Sequence, residues 1–182
     1  MVFFLSFVRL VFAADYAPAV EVGACLHTGS ETASLNGAKS YLLSMRAEQT
    51  HGMLRRSAGL EIEYGSGTAY VTSGVSTFTL MGGNFVAGLN LYPFADGKIR
   101  PFLGGFGVLG FDQMQLGTPL AGNAAYSQGL AYGYEIVGGV DLAKGSSSAY
   151  RIRVSIWSVS GALGGISGFQ LQGVRAGIGY SY

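Results

Sequence analysis

Polar and apolar residues alternate along most of this chain with a period of two, the repeat of a strand and not of a helix. The alternation predicts eight strands, over residues 17–28, 40–49, 54–65, 77–94, 98–112, 130–142, 149–160 and 169–182. Sorted by parity, most segments separate charge from apolar surface. Val20, Val22, Ala24 and Leu26 stand opposite Glu21, Cys25 and His27, and Tyr41, Leu43 and Met45 opposite Ser44, Arg46 and Glu48. Leu60, Ile62 and Tyr64 stand opposite Glu61 and Glu63, and Tyr134, Ile136, Val140 and Leu142 opposite Glu135 and Asp141. The seventh segment is clearest, with Tyr150, Ile152, Val154 and Ile156 against Arg151 and Arg153. Some residues break the rule: Phe102 and Phe106 share the parity of Arg100, Trp157 shares that of Arg153, and Phe169 and Leu171 are out of phase with Val174. A bulge or an aromatic turned inward accounts for each equally well.

The connections alternate in length. Residues 49–53, 95–97 and 144–148 read as short turns, Asp96-Gly97 being a tight-hairpin dipeptide. Residues 29–39, 66–76, 113–129 and 161–168 are longer and rich in Gly, Ser, Thr and Asn. Each predicted strand approaches or exceeds the roughly 9–11 residues of a tilted membrane strand, against about five or six in soluble sheets. Together these features predict an all-β fold, an eight-stranded antiparallel up-and-down transmembrane β-barrel with four longer outer loops.

Charge decides which face is inside. An arginine on the lipid face near the midplane costs about 2–4 kcal/mol, so the charged parity must point inward. The predicted lumen then holds Glu21, Arg46, Glu48, Glu61, Glu63, Arg100, Glu135, Asp141, Arg151, Arg153 and Arg175 as an ion-pair network. Lys39, Lys98 and Lys144 fall at turns or loop edges, where a solvated ammonium belongs. Outward Tyr41, Tyr64, Phe111 and Tyr132 at one end, and Tyr150, Tyr180 and Tyr182 at the other, suit interfacial girdles. Composition agrees: only 12% of residues are charged, about half the globular norm, and thirty glycines accompany four prolines. A net charge of +1 with no basic run gives no footing for nucleic acid.

The last eight residues, Arg175-Ala176-Gly177-Ile178-Gly179-Tyr180-Ser181-Tyr182, read polar, any, Gly, any, any, aromatic, any, aromatic. This segment resembles the C-terminal sorting signal of bacterial outer-membrane barrels, with Arg175, Gly177, Tyr180 and Tyr182 at its marked positions. Leu89-Asn90-Leu91-Tyr92-Pro93-Phe94, followed by Arg100-Pro101-Phe102-Leu103-Gly104-Gly105, resembles the central hairpin of the same broad superfamily. The chain as a whole is similar to small eight-stranded outer-membrane barrels of the OmpA transmembrane-domain and OmpX type. The resemblance implies a bacterial outer-membrane location and a structural, adhesive or stress-associated role, seldom an enzyme. It also implies outer-membrane lipid and lipopolysaccharide as surroundings, the barrel-assembly machinery as a partner through the last strand, and a monomer.

Residues 1–14 read as the apolar core of a secretory signal, with Val11 and Ala13 small enough for the cleavage positions, leaving 15–182 as the barrel domain. No basic residue precedes the run and Arg9 interrupts it, which a start upstream of Met1 would explain. Cys25 is the only cysteine, so no disulfide forms within the chain.

Candidate chemistry is sparse. His27 is expected inside, beside Glu21, and His51 in a short turn; neither has the neighbouring Ser of a lipid-modifying barrel. Two distant histidines and one cysteine give no metal-ligand spacing, and the Gly104-Gly105-Phe106-Gly107 run lacks the helix and Lys-Ser/Thr of a phosphate loop. No catalytic, cofactor or metal site is predicted. The leading expectation is a non-enzymatic surface barrel with a charge-filled lumen. The alternatives, in order, are a small-solute channel, a soluble lipocalin-like binding barrel and a lipid-modifying outer-membrane enzyme.

Overall fold

Alternating side chains leave the backbone amides of each segment pointing sideways, where neighbouring segments pair with them. The computed structural model describes residues 16–28, 39–71, 74–94, 96–116, 126–144, 148–163 and 166–182. Within them lie β1 (Ala17–Thr28), β2 (Lys39–His51), β3 (Leu54–Val71), β4 (Gly74–Leu91), β5 (Ile99–Leu116), β6 (Tyr126–Ala143), β7 (Ala149–Leu163) and β8 (Ile166–Ser181). Each strand pairs antiparallel with its sequence neighbour, and β8 returns to β1, setting Val22 against Ile178 and Leu26 against Val174. The fold is a closed eight-stranded up-and-down barrel. Closure leaves no edge, so the ladder amides need neither water nor another chain.

Several boundaries differ from the sequence reading. Residues 66–71 and 74–76 are strand and not loop: β3 and β4 stay in register from Leu54↔Leu91 to Val71↔Gly74. Residues 161–168 are likewise mostly strand, with a register irregularity between Gly161 and Leu163. Thr, Val and Tyr in the first of these stretches favour extended backbone as much as their small polar neighbours favour turns. Of the other two predicted loops, residues 29–38 and 117–125 lie outside the described residues, as does the predicted signal over 1–14.

The opposite end also shifts. β2 runs through His51, so His51 closes a strand and the turn is Gly52-Met53. Gly52 has φ +61°, a region costly for any side chain. β4 stops at Leu91 and not at residue 94, because Pro93 has no N–H to give the ladder. Tyr92 leaves the strand, donates its amide to Met53 O at 2.7 Å and tucks its ring under the lumen.

Three of the aromatic exceptions of the sequence are residents of the interior, while the side chain of Phe169 lies outside the described residues. Phe102, Phe106 and Trp157 are all buried on the charged parity, and so is Leu171. Each phenylalanine has a glycine across the ladder: Phe102 faces Gly139 and Phe106 faces Gly88. A Cβ on Gly88 would come within 2.7 Å of the Phe106 ring, and one on Gly139 within 2.6 Å of Phe102. Tyr92, Phe102, Phe106 and Val137 form an apolar cluster towards the turn end.

Candidate functional site in the barrel lumen

Among the described residues, the inner parity brings ionisable side chains from seven of the strands into one enclosed column, where each must find a partner or be costly. Arg151 on β7 organises the end nearest the turns. It donates from Nε to Asp141 Oδ1 at 2.8 Å and from Nη1 to Glu48 Oε1 at 2.5 Å and Glu21 Oε1 at 3.2 Å. Its Nη2 reaches Glu48 Oε2 at 3.0 Å, Asp141 Oδ2 at 3.1 Å and the Tyr92 hydroxyl at 3.1 Å. Tyr92 in turn donates to Asp141 Oδ2 at 2.9 Å. Arg55 joins from β3, donating to Glu48 at 3.1 Å and Asp141 at 3.0 Å, with its guanidinium 4.6 Å from the Tyr92 ring centre.

Above it a second cluster is built around Glu61 and Glu135. Arg46 pairs with Glu61 and reaches Glu135 at 3.4 Å, while lying 4.6 Å from the Phe106 ring centre. Arg153 joins Glu135 at 2.6 Å and Glu21 at 3.0 Å, and Ser155 donates to Glu135 at 2.6 Å. Arg175 bridges upward, from Glu61 at 3.1 Å to Glu63 at 2.8 Å. Every carboxylate in these clusters is almost wholly buried. Bidentate guanidinium contacts and stacking on rings are the arrangement arginine supports and lysine does not.

The third cluster lies towards the longer connections. His27 Nε2 sits 2.9 Å from Ser40 Oγ and 3.3 Å from Glu63 Oε1. Ser40 donates to Glu63 Oε1, so it accepts from a proton on His27 Nε2. Trp157 Nε1 donates to Cys25 Sγ at 2.9 Å, and Arg175 covers the Trp157 ring at 4.0 Å. Gly173 lies between His27 and Trp157 in the ladder. A Cβ there would press on the Leu26 carbonyl, Cys25 Sγ and Trp157 Nε1, so glycine lets the sulfur and indole meet.

The ladder brings together all the lumen residues read from the sequence except Arg100. That side chain is half-buried, joins none of the ion pairs among the described residues, and its Nε lacks a hydrogen-bond partner. Asp141, directly across from Arg100, is already taken by Arg151 and Arg55. Arg55 was missed, although its parity matches Ser57, Glu61 and Glu63; Arg56 beside it is exposed. His27 meets Glu63 and not Glu21, because Glu21 lies three inward positions further down β1 and is held by Arg151 and Arg153. The expectation that no ligand set clusters does not hold in space. One donor atom each of Cys25, His27 and Glu63 lies within 4.8 Å of the others. Buried Asp112 was also missed; it flanks Gly82 in the same row as Glu63.

Outside the lumen, Tyr150, Tyr180 and Tyr182 pack edge to face, with centres 5.2 Å and 4.8 Å apart. Lys144 at the turn donates to the Tyr150 hydroxyl at 3.3 Å, and this bond holds the exposed ammonium pKa above its ordinary value. The Tyr182 amide closes on Pro18 O at 3.0 Å. Of the other residues of the terminal segment, Arg175 points inward and Gly177 faces Gly23 and Arg153.

No family model and no curated protein matches the sequence. Among solved structures, the crystal structure of Neisserial surface protein A is similar, with a TM-score of 0.57 and 17% identity. The likeness covers 91% of this chain and 94% of that one, and at this identity it speaks for the fold.

Proposed function

We propose that the chain is an integral outer-membrane barrel of the OmpA transmembrane-domain and OmpX type. In this reading it is non-enzymatic and acts through the hairpins and loops at its outer end in structural, adhesive or other surface contact. One observation carries the reading: the molecule is inside out for water. Glu61, Glu135 and Asp141 are 0% exposed, while Ile62, Ile136 and Ile152 are 57%, 54% and 52% exposed. A soluble monomer seldom shows an apolar patch above about 300–600 Å², and here the apolar positions run round the wall. In hydrocarbon that wall is the ordinary one. The similarity to a bacterial surface protein supports the same reading.

The surroundings are outer-membrane lipid and lipopolysaccharide, and the last strand, through Arg175, Gly177, Tyr180 and Tyr182, is what the barrel-assembly machinery takes up. A closed sheet needs no second copy to satisfy its backbone, which supports a monomer. The filled lumen supports a plug over a channel. His27 is enclosed with Ser40 and Glu63, away from the wall where a lipid would react. Envelope fractionation should place the protein with outer-membrane markers, and in detergent its gel mobility should change on heating. Planar bilayers should show no stable conductance. A folded monomer that stays in water without detergent overturns the proposal, and steady conductance replaces the plug with the channel.

A further inference from the structure

Cys25 and His27 are successive inward residues of β1, but Glu63 is distant in sequence, and nothing marks the three as a set. The ladder assembles them. Cys25 lies on β1 directly across from Ser40 on β2 and Arg175 on β8, and His27 is the next inward residue of β1. Glu63 reaches in from β3. The three donor atoms, a sulfur, an imidazole nitrogen and a carboxylate oxygen, lie within 4.8 Å of one another, and all three residues are buried. We propose that this cluster is a binding site for a borderline-soft divalent cation of the zinc class.

The donor chemistry selects the metal class. One thiolate, one imidazole and one carboxylate suit zinc, whereas magnesium and calcium take oxygen alone. Tetrahedral zinc holds its donors about 3.3–3.7 Å apart, so the three side chains need close by only about an ångström. A water or Ser40 Oγ supplies the fourth position. Binding releases the Cys25 proton, which leaves thiolate on the metal.

The surrounding groups are those a metal site uses to orient its ligands. Trp157 Nε1–H points at Cys25 Sγ from 2.9 Å and is suited to a thiolate acceptor. Arg175 holds Glu63 Oε2 at 2.8 Å, which leaves Oε1 facing His27 and Ser40. His27 Nδ1 is buried without a hydrogen-bond partner, an orphan that a protein rarely tolerates unless something else engages it.

Charge favours a cation too. Among the described residues, five arginines in the lumen ion pairs face six carboxylates there, with His27 as the remaining partner. Buried Asp112 lies close by, one ladder position beyond Gly82 from Glu63. Arg175 is the local opposing charge, and it is already shared between Glu61 and Glu63.

The test uses the full barrel folded into detergent with Zn²⁺ or Co²⁺ present, then stripped of loosely held metal. Elemental analysis should find about one metal per barrel. Cobalt should give a thiolate charge-transfer band with the visible bands of a tetrahedral site. Cys25→Ser should abolish the charge-transfer band, Cys25→Ser and His27→Ala should each weaken affinity by at least about 100-fold, and Trp157→Phe should weaken it by about 10-fold. His51→Ala should change nothing. Heat-modifiable mobility reports whether each variant is folded. Substoichiometric metal on the folded wild-type barrel overturns the proposal without reference to any variant. A charge-transfer band that survives in Cys25→Ser, or binding that follows His51, overturns it as well.

Discussion

Arg151 and Arg100 are chemically the same residue on the two strands that flank Asp141, yet they carry opposite consequences. Arg151 donates to Asp141, Glu48, Glu21 and Tyr92, so its removal leaves three buried carboxylates short of a counter-charge. Breaking a buried pair by deleting one partner costs about 3–5 kcal/mol, and Arg151→Ala should lower unfolding stability in detergent by that order. Arg100 has no such partners, and Arg100→Ala should cost about 1 kcal/mol or less. Urea titration read by the fluorescence of Trp157, the single tryptophan, distinguishes the two. Equal effects would mean that the column of ion pairs does not hold the lumen together. Parity made Arg151, Glu61 and Glu135 legible in the sequence. It could not tell which carboxylate each cation would meet, because partners such as Arg151 and Glu21 are 130 residues apart and adjoin only through register.

At the scale of elements, strand length governs what would stand outside the bilayer in the proposed membrane setting. β3 and β4 have 18 residues each. Such a strand covers about 45 Å along a barrel axis at ordinary rise and tilt, against an apolar band of about 25 Å. β1 has 12 residues, so the rim is uneven and the β3–β4 hairpin projects beyond it. Ser66 and Thr79 are paired, so an Asn-Gly turn between them can replace residues 67–78. The shortened barrel should keep its heat-modifiable mobility and lose less than about 1 kcal/mol. Loss of folding would show that the hairpin belongs to the barrel core. The sequence placed all eight strands but took residues 66–76 for a loop. Glycine and serine there read as turn residues, whereas pairing with the facing arm keeps them extended.

For the whole molecule, the decisive quantity is the sign of the surface. Ile152 is 52% exposed on the wall, between buried Arg151 and Arg153. In a bilayer, Ile152→Arg should cost about 2–4 kcal/mol near the midplane, and Ile152→Leu almost nothing. Folding efficiency into lipid vesicles, read by gel mobility, measures the difference. A lipocalin-like barrel in water would accept the arginine without loss. The two faces therefore make opposite demands, since Arg151 requires its charge and Ile152 cannot take one.

Alternation, length and the location of charge were properties of the chain itself. They determined eight antiparallel strands, a closed barrel and an inward ionic face, because a strand sends neighbouring side chains to opposite sides whatever surrounds it. Tertiary structure decided which charges meet and that Phe102, Phe106 and Trp157 fill the interior. It also gathered Cys25, His27 and Glu63 at one level of the lumen. Those outcomes depend on which residue of one strand stands beside which residue of the next. A register is set by the closure of all eight strands together, and no single segment contains it.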